Sequence, residues 1–196
     1  HKMVSEMADI PRKQAKTINL GLFYGMGKGK LMSQLGVNLE DATEMLANYN
    51  ERVPFVKQLM NDTMSKAGKK GFLSTIEGRR CRFEEWEPIN EWGKKSLPLK
   101  EAQQEYGEHM IKRAWTYKAL NRLIQGSAAD QTKKAMLELS KEGYLAHIQV
   151  HDELDFSVAN DKDKSKIKEI MEHAVKLEVP SKVDVECGDS WGDAGD

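Results

Sequence analysis

Residues 149–156, Gln-Val-His-Asp-Glu-Leu-Asp-Phe, place the hardest constraint on how this chain folds. Gln149, Val150, Leu154 and Phe156 suit a half-buried strand. His151, Asp152 and Glu153 do not, because an unpaired carboxylate is costly to bury. The chain must bend here and lift Asp152 and Glu153 to an exposed tip between two strands. Two readings of that tip stay open: a site for a divalent metal or a proton transfer, and an ordinary hairpin with polar residues at its turn.

The punctuation before this point is helical. Pro11 opens a helix over 11 to about 35, since proline is favoured in a first turn. Asn38 caps a second helix through about Arg52, and Pro54 opens a third that ends at Gly68. Residues 71–83 read as a hairpin turning at Glu77-Gly78. Residues 85–98, with Trp86, Pro88, Trp92 and Pro98, read as an irregular excursion. A helical pattern with room for one break runs from about Lys100 to Glu142 and stops at Gly143. The predicted strands 145–151 and 154–159 flank the polar tip, followed by a helix over 162–177 and a last strand over 183–187. Helices first and a hairpin, helix and strand later define an α+β chain, a helical lobe followed by an antiparallel-sheet lobe with packed helices.

Charge adds direction. The formal net charge is only −1, yet residues 10–32 hold Arg12, Lys13, Lys16, Lys28 and Lys30 with no acid. Residues 66–82 hold Lys66, Lys69, Lys70, Arg79, Arg80 and Arg82 against Glu77 alone, while acids gather in 151–163 and 184–196. Basic stripes early and carboxylates late suit a cleft for polyphosphate and metal, although such runs are commonly solvated faces. No stretch approaches the length of a membrane span and no leader opens the chain, so the expected location is the cytoplasm. Cys81 and Cys187 stand alone, which argues against a disulfide framework or a zinc site.

The first helix carries the sharpest constellation. Arg12, Lys16, Leu20 and Tyr24 follow one another at four-residue steps and spread over roughly 120° of one face. Ile18, Gly21, Leu22 and Gly25 make an apolar, small-residue surface on the other side. Arg12 and Lys16, one turn apart, could clamp a polyphosphate, with the Tyr24 ring further along. A basic solvent face on an amphipathic helix is the competing reading.

Five segments in order then resemble the family A DNA polymerases, the group of bacterial DNA polymerase I and related phage and organellar replicases. They are RKQAKTINLGLFYGMG (motif B, with His1 ahead of the helix), STIEGRRCRF, NRLIQGSAAD, QVHDELDF (motif C, turning at 151–153) and VDVECGDSWGDA. The resemblance implies a DNA-directed DNA polymerase that adds dNTPs to a primer 3′-hydroxyl with two Mg²⁺ ions roughly 4 Å apart. It implies that Asp152 binds metal, that Glu153 lies beside it at the primer terminus, and that His151 places the terminal sugar–phosphate. His1, Arg12 and Lys16 would bind the incoming triphosphate, Lys16 also as proton donor to pyrophosphate, and Tyr24 would stack near the templating position. Asn121 and Gln125 would test base-pair geometry at the minor-groove edge, where acceptors lie alike for every correct pair. Arg79 and Arg80 would hold backbone phosphates, a basic hairpin edge being the plainer reading.

The resemblance also divides the chain: part of the fingers over 1–84, an insertion or connection over 85–112, and the carboxy-terminal half of the palm over 113–196. Motif A, with the family's first catalytic aspartate, has no counterpart in these residues. The expectation is a fragment, inactive alone, whose partners are primer–template DNA, dNTPs and the remainder of the polymerase, with no membrane. Leu20 stands where the best-known relatives have Phe or Tyr beside the incoming sugar, and Tyr117 where bacterial enzymes usually carry Arg, with Arg113 or Lys118 as substitutes. With the longer 85–110 segment, Leu20 suggests a phage or otherwise divergent replicase. The rivals are a single-subunit RNA polymerase, which usually has HDS in place of HDE, and a noncatalytic nucleic-acid-binding remnant.

Overall fold

A computed structural model describes residues 5–6, 11–23, 28–91 and 93–194. It is α+β, with helices and three small antiparallel sheets. The chain separates into two compact units, 1–124 and 125–196.

From Arg12 to Lys70 the described part of the first unit is built of helices: α1 (Arg12–Phe23), α2 (Lys28–Leu35), α3 (Leu39–Arg52) and α4 (Pro54–Lys70). The single helix expected over 11–35 is thus helical on both sides of residues 24–27, which lie outside the described residues. Asn38 caps α3 as expected, its side chain accepting from the Asp41 N–H at 2.8 Å. One core forms where α1 to α4 bury Ala15, Ile18, Leu31, Ala42, Tyr49, Val53 and Val56. Tyr49 is the largest fully buried side chain there, and burial pushes its phenol up to about 12.

Helix α4 does not stop at Gly68. It runs on to Lys70, and Gly71 is the cap, at φ 75 and ψ 3 with its N–H on the Ala67 carbonyl. A glycine inside a helix costs up to about 1 kcal/mol relative to alanine and is tolerated, whereas a left-handed cap nearly demands one. From Gly71 the chain enters the expected hairpin, β1 (Phe72–Ser74) against β2 (Arg80–Arg82), paired Phe72↔Arg82 to Ser74↔Arg80. Gly78, at φ 83, supplies the left-handed turn residue. Ala67, Leu73, Phe83 and Ala119 form a second core under this hairpin.

Residues 85–98 are irregular only between 89 and 96 among the described residues. They give β3 (Glu85–Pro88) and β4 (Leu97–Pro98), which with β5 (Ile111–Arg113) form an antiparallel sheet ordered β4-β3-β5. Two prolines disguise these strands: Pro98 lies on the edge strand, where proline is tolerated, and Pro88 is the last residue of β3. The predicted helix from Lys100 is likewise two helices, α5 (Leu99–Tyr106) and α6 (Ala119–Lys141). Gly107, at φ 89, ends the first; β5 and a 3₁₀ turn at Thr116–Lys118 fill the gap.

The second unit holds most of α6, the hairpin β6 (Ile148–Val150) and β7 (Glu153–Asp155), helix α7 (Asp161–His173) and a 3₁₀ turn at Trp191–Asp193. Asn160 caps α7 by accepting from the Lys162 and Asp163 N–H groups. Helix α7 ends four residues before the expected 177. The strand expected over 183–187 does not form: the Val183 N–H donates to Glu172 Oε1 at 3.1 Å instead of to a ladder. The Tyr144 hydroxyl donates to Asp163 Oδ1 at 3.1 Å, tying the segment after α6 to α7.

Candidate active site

The hairpin of the second unit bends where the alternation breaks. β6 and β7 pair Ile148↔Asp155, Gln149↔Leu154 and Val150↔Glu153, so only His151 and Asp152 remain in the turn, and Glu153 already belongs to β7. His151 adopts φ 54, a left-handed conformation uncommon outside glycine but natural in a two-residue hairpin. Gln149 Nε2 donates to the His151 carbonyl at 2.6 Å and braces the bend. All three of His151, Asp152 and Glu153 are exposed.

Behind the tip the electrostatics are lopsided. Glu153 and Asp155 alternate onto the same side of β7. Asp155 Oδ2 is enclosed with no hydrogen-bond partner among the described residues. Burial first, then the neighbouring Glu153 carboxylate, pushes the Asp155 carboxyl above the usual range. Glu153 has a second neighbour: Trp191 Nε1 donates to Glu153 Oε1 at 3.3 Å. Trp191 carried no individual role in the sequence reading, and the contact joins residues 38 apart, a separation no local pattern reveals.

In the first unit, Arg12 and Lys16 are exposed on α1 and Leu20 is 39% exposed, while Ala15 and Ile18 on the other side are fully buried. Core packing of that inner face is what turns the cations outward. His1 and Tyr24 lie outside the described residues.

Arg79 and Arg80 are exposed at the β1–β2 hairpin, and the Arg80 guanidinium lies 4.8 Å over the Phe72 ring. Asn121 and Gln125 both lie on α6, Asn121 half-buried and Gln125 exposed. Of the two cations considered in place of an arginine at Tyr117, Arg113 is engaged inside the fold. Its Nη1 donates to the Phe83 carbonyl at 2.7 Å, and its guanidinium lies 4.6 Å over Trp86. Lys118 rests 4.4 Å over Trp115 and 5.5 Å over Tyr117.

Among the described residues no group of three or more His, Cys, Asp and Glu side chains converges as a metal cage. The donor set at the tip fits a hard cation all the same: Asp152 offers exposed carboxylate oxygens, the ligand type magnesium prefers.

The chain is α+β, with an outward basic face on a helix of the first unit and an exposed acidic tip on the hairpin of the second. The chain belongs to DNA polymerase family A, whose family model matches residues 1–193. It is 37% identical over 226 aligned residues to a DNA-directed DNA polymerase of Pseudomonas phage M6, covering 98% of this chain and 31% of the relative. It is 34% identical to DNA polymerase I of Bacillus subtilis (strain 168), covering 99% of this chain and 21% of that protein. Among solved structures it resembles the POL domain of Pol1 from M. smegmatis in complex with DNA primer-template and dNTP. The TM-score is 0.74 at 29% identity, over 97% of this chain and 34% of that one. The chain thus spans about a fifth to a third of the relatives it matches. Among the described residues no helix is long and apolar enough to cross a membrane.

Proposed function

We propose that this chain supplies part of the fingers (1–84), a connecting segment (85–112) and the carboxy-terminal part of the palm (113–196) of a template-directed DNA polymerase, with primer–template DNA and dNTPs as its substrates. The observation that carries the reading is the family match over residues 1–193, joined to an acidic hairpin tip and an outward basic helix.

Each side chain has work that its position allows. Arg12 presents a planar fork and Lys16 a point charge one turn away, and together they would grip the triphosphate of the incoming nucleotide. His1 would join them, and Lys16 would hand a proton to the leaving pyrophosphate. Leu20 would fill space beside the incoming sugar, and Tyr24 would close over the templating position. Asp152 would hold Mg²⁺, which when bound helps ionise the primer 3′-hydroxyl and neutralises the leaving oxygens. Glu153 would sit at the primer terminus, and His151 would hold the terminal sugar–phosphate. Asn121 and Gln125 would test the minor-groove edge of the new pair without choosing a sequence. Arg79 and Arg80 would hold backbone phosphates of the duplex.

The test is incorporation on a primed template by the polymerase that carries these residues. Template-dependent extension with dNTPs, and little with ribonucleotides, is the expected result. Preferential use of ribonucleotides, or binding of DNA without extension, would replace the proposal with one of its rivals.

A further inference from the structure

Beyond the residues that would meet substrate, the loop at 188–194 is built to hold one side chain against the acidic tip. Ser190 Oγ donates to Asp193 Oδ2 at 2.5 Å, and the Asp193 N–H donates to the Ser190 carbonyl at 3.1 Å. Gly188 lies so close to the loop's far end that a Cβ there would meet the Asp193 carbonyl carbon at 2.7 Å and the Ala194 nitrogen at 2.8 Å. The closed loop presents Trp191, whose indole N–H reaches Glu153 Oε1 at 3.3 Å. Trp191 is 60% exposed, so this tryptophan is not there to fill a core.

The indole gives Glu153 an N–H donor on Oε1. Glu153 is exposed, and a solvated glutamate has several rotamers of similar energy. The Asp155 carboxyl shares its side of β7, and like charges on one face push apart. An N–H donor selects one rotamer and offsets part of that repulsion. Indole nitrogen is a donor only, and so cannot bind the carboxylate in any other sense.

We propose that Trp191 is a positioning residue for the polymerase reaction, fixing the Glu153 carboxylate beside Asp152 through a hydrogen bond that the 188–194 loop preorganises. The inference rests on the polymerase reading and adds a component that acts through Glu153 without touching substrate.

The experiment is single-nucleotide incorporation by the complete polymerase, with Trp191→Phe, Glu153→Ala, the double variant and Gly188→Ala, alongside wild type and Asp152→Ala. Trp191→Phe keeps the ring and removes the N–H. It is expected to lower kcat about tenfold, the worth of one hydrogen bond to a carboxylate. KM for dNTP, DNA affinity and Tm should stay near wild type. In the Glu153→Ala background, which removes the acceptor, the same change should cost less than about twofold, since residues acting through one another are not additive. Gly188→Ala, which must displace the loop, should reproduce the kcat loss with Trp191 intact. An unchanged kcat in Trp191→Phe overturns the proposal. So do losses that multiply in the double variant, or a rise in KM with kcat preserved. If wild type incorporates nothing, or Asp152→Ala retains wild-type activity, the polymerase reading itself fails, a result distinct from failure of the Trp191 arm alone.

Discussion

Gly71→Ala is the substitution whose effect the structure specifies most fully. Gly71 holds φ 75, where an L side chain costs roughly 1–2 kcal/mol. The new Cβ would stand 2.6 Å from Arg113 Cζ, 2.7 Å from Nη2 and 2.9 Å from Nη1. That guanidinium cannot swing away freely, because Nη1 donates to the Phe83 carbonyl at 2.7 Å and the plane is stacked on Trp86. Displacing it forfeits a hydrogen bond from a charged group, about 1.5–3 kcal/mol. The smaller unfolded-state entropy of alanine returns about 0.4–1 kcal/mol. The net expectation is a loss of about 1.5–4.5 kcal/mol. The Phe83 N–H donates to the Gly71 carbonyl at 2.8 Å, so its hydrogen-exchange protection reports the local cost directly. Gly68→Ala is the control: no atom lies within 4 Å of its Cβ, and alanine in a helix interior should stabilise by up to about 1 kcal/mol. A cost below about 0.5 kcal/mol at Gly71, or a larger cost at Gly68, would refute the assignment of the cap and the packing of Arg113 under the hairpin.

Replacing Arg12 and Lys16 together by Ala should remove two charge-assisted contacts, roughly 3 kcal/mol or more, and weaken dNTP binding to the polymerase–DNA complex at least about a hundredfold. Lys13→Ala should change it less than about twofold, and equal effects would deny a special role to the Arg12–Lys16 face. Tyr49, held up to about 12 by burial, retains its proton more tightly folded than unfolded. Its contribution is therefore fully present below the ordinary tyrosine value near 10 and is lost as pH rises through about 12. Phenolate absorbance should show a late ionisation that coincides with loss of helix and vanishes in Tyr49→Phe, apart from that of Tyr144, which is raised by its hydrogen bond to Asp163; early ionisation would place Tyr49 outside the core.

What the sequence made legible follows from which signals are local. Asn38, Pro54 and the polar run at 151–153 act within a few residues, and the cap of α3, the start of α4 and the acidic bend are where such signals put them. The strands in 85–98 were hidden because Trp86, Pro88 and Pro98 carry no alternation, and β3 pairs with β4 and with β5, whose residues lie further along the chain. The choice between Gly68 and Gly71 was closed to periodicity, because both follow a helical run. What decides it is the left-handed φ at Gly71 and the guanidinium of Arg113 beneath it. The roles of Arg12, Lys16 and Asp152 came from resemblance: their spacing alone equally describes a solvated helix face and a polar hairpin tip. Trp191 could not be assigned, since its partner Glu153 lies 38 residues away.

The central claim is that the acidic bend belongs to the centre where nucleotides are joined. Its most direct test is the single-turnover rate of dNTP incorporation by the complete polymerase carrying Asp152→Ala, with saturating primer–template and Mg²⁺. Loss of a ligand at the reacting centre should remove about 4 kcal/mol or more of transition-state stabilisation, a thousandfold or greater fall in rate, with DNA affinity unchanged. A rate within about tenfold of wild type would contradict the assignment and leave the bend an ordinary hairpin.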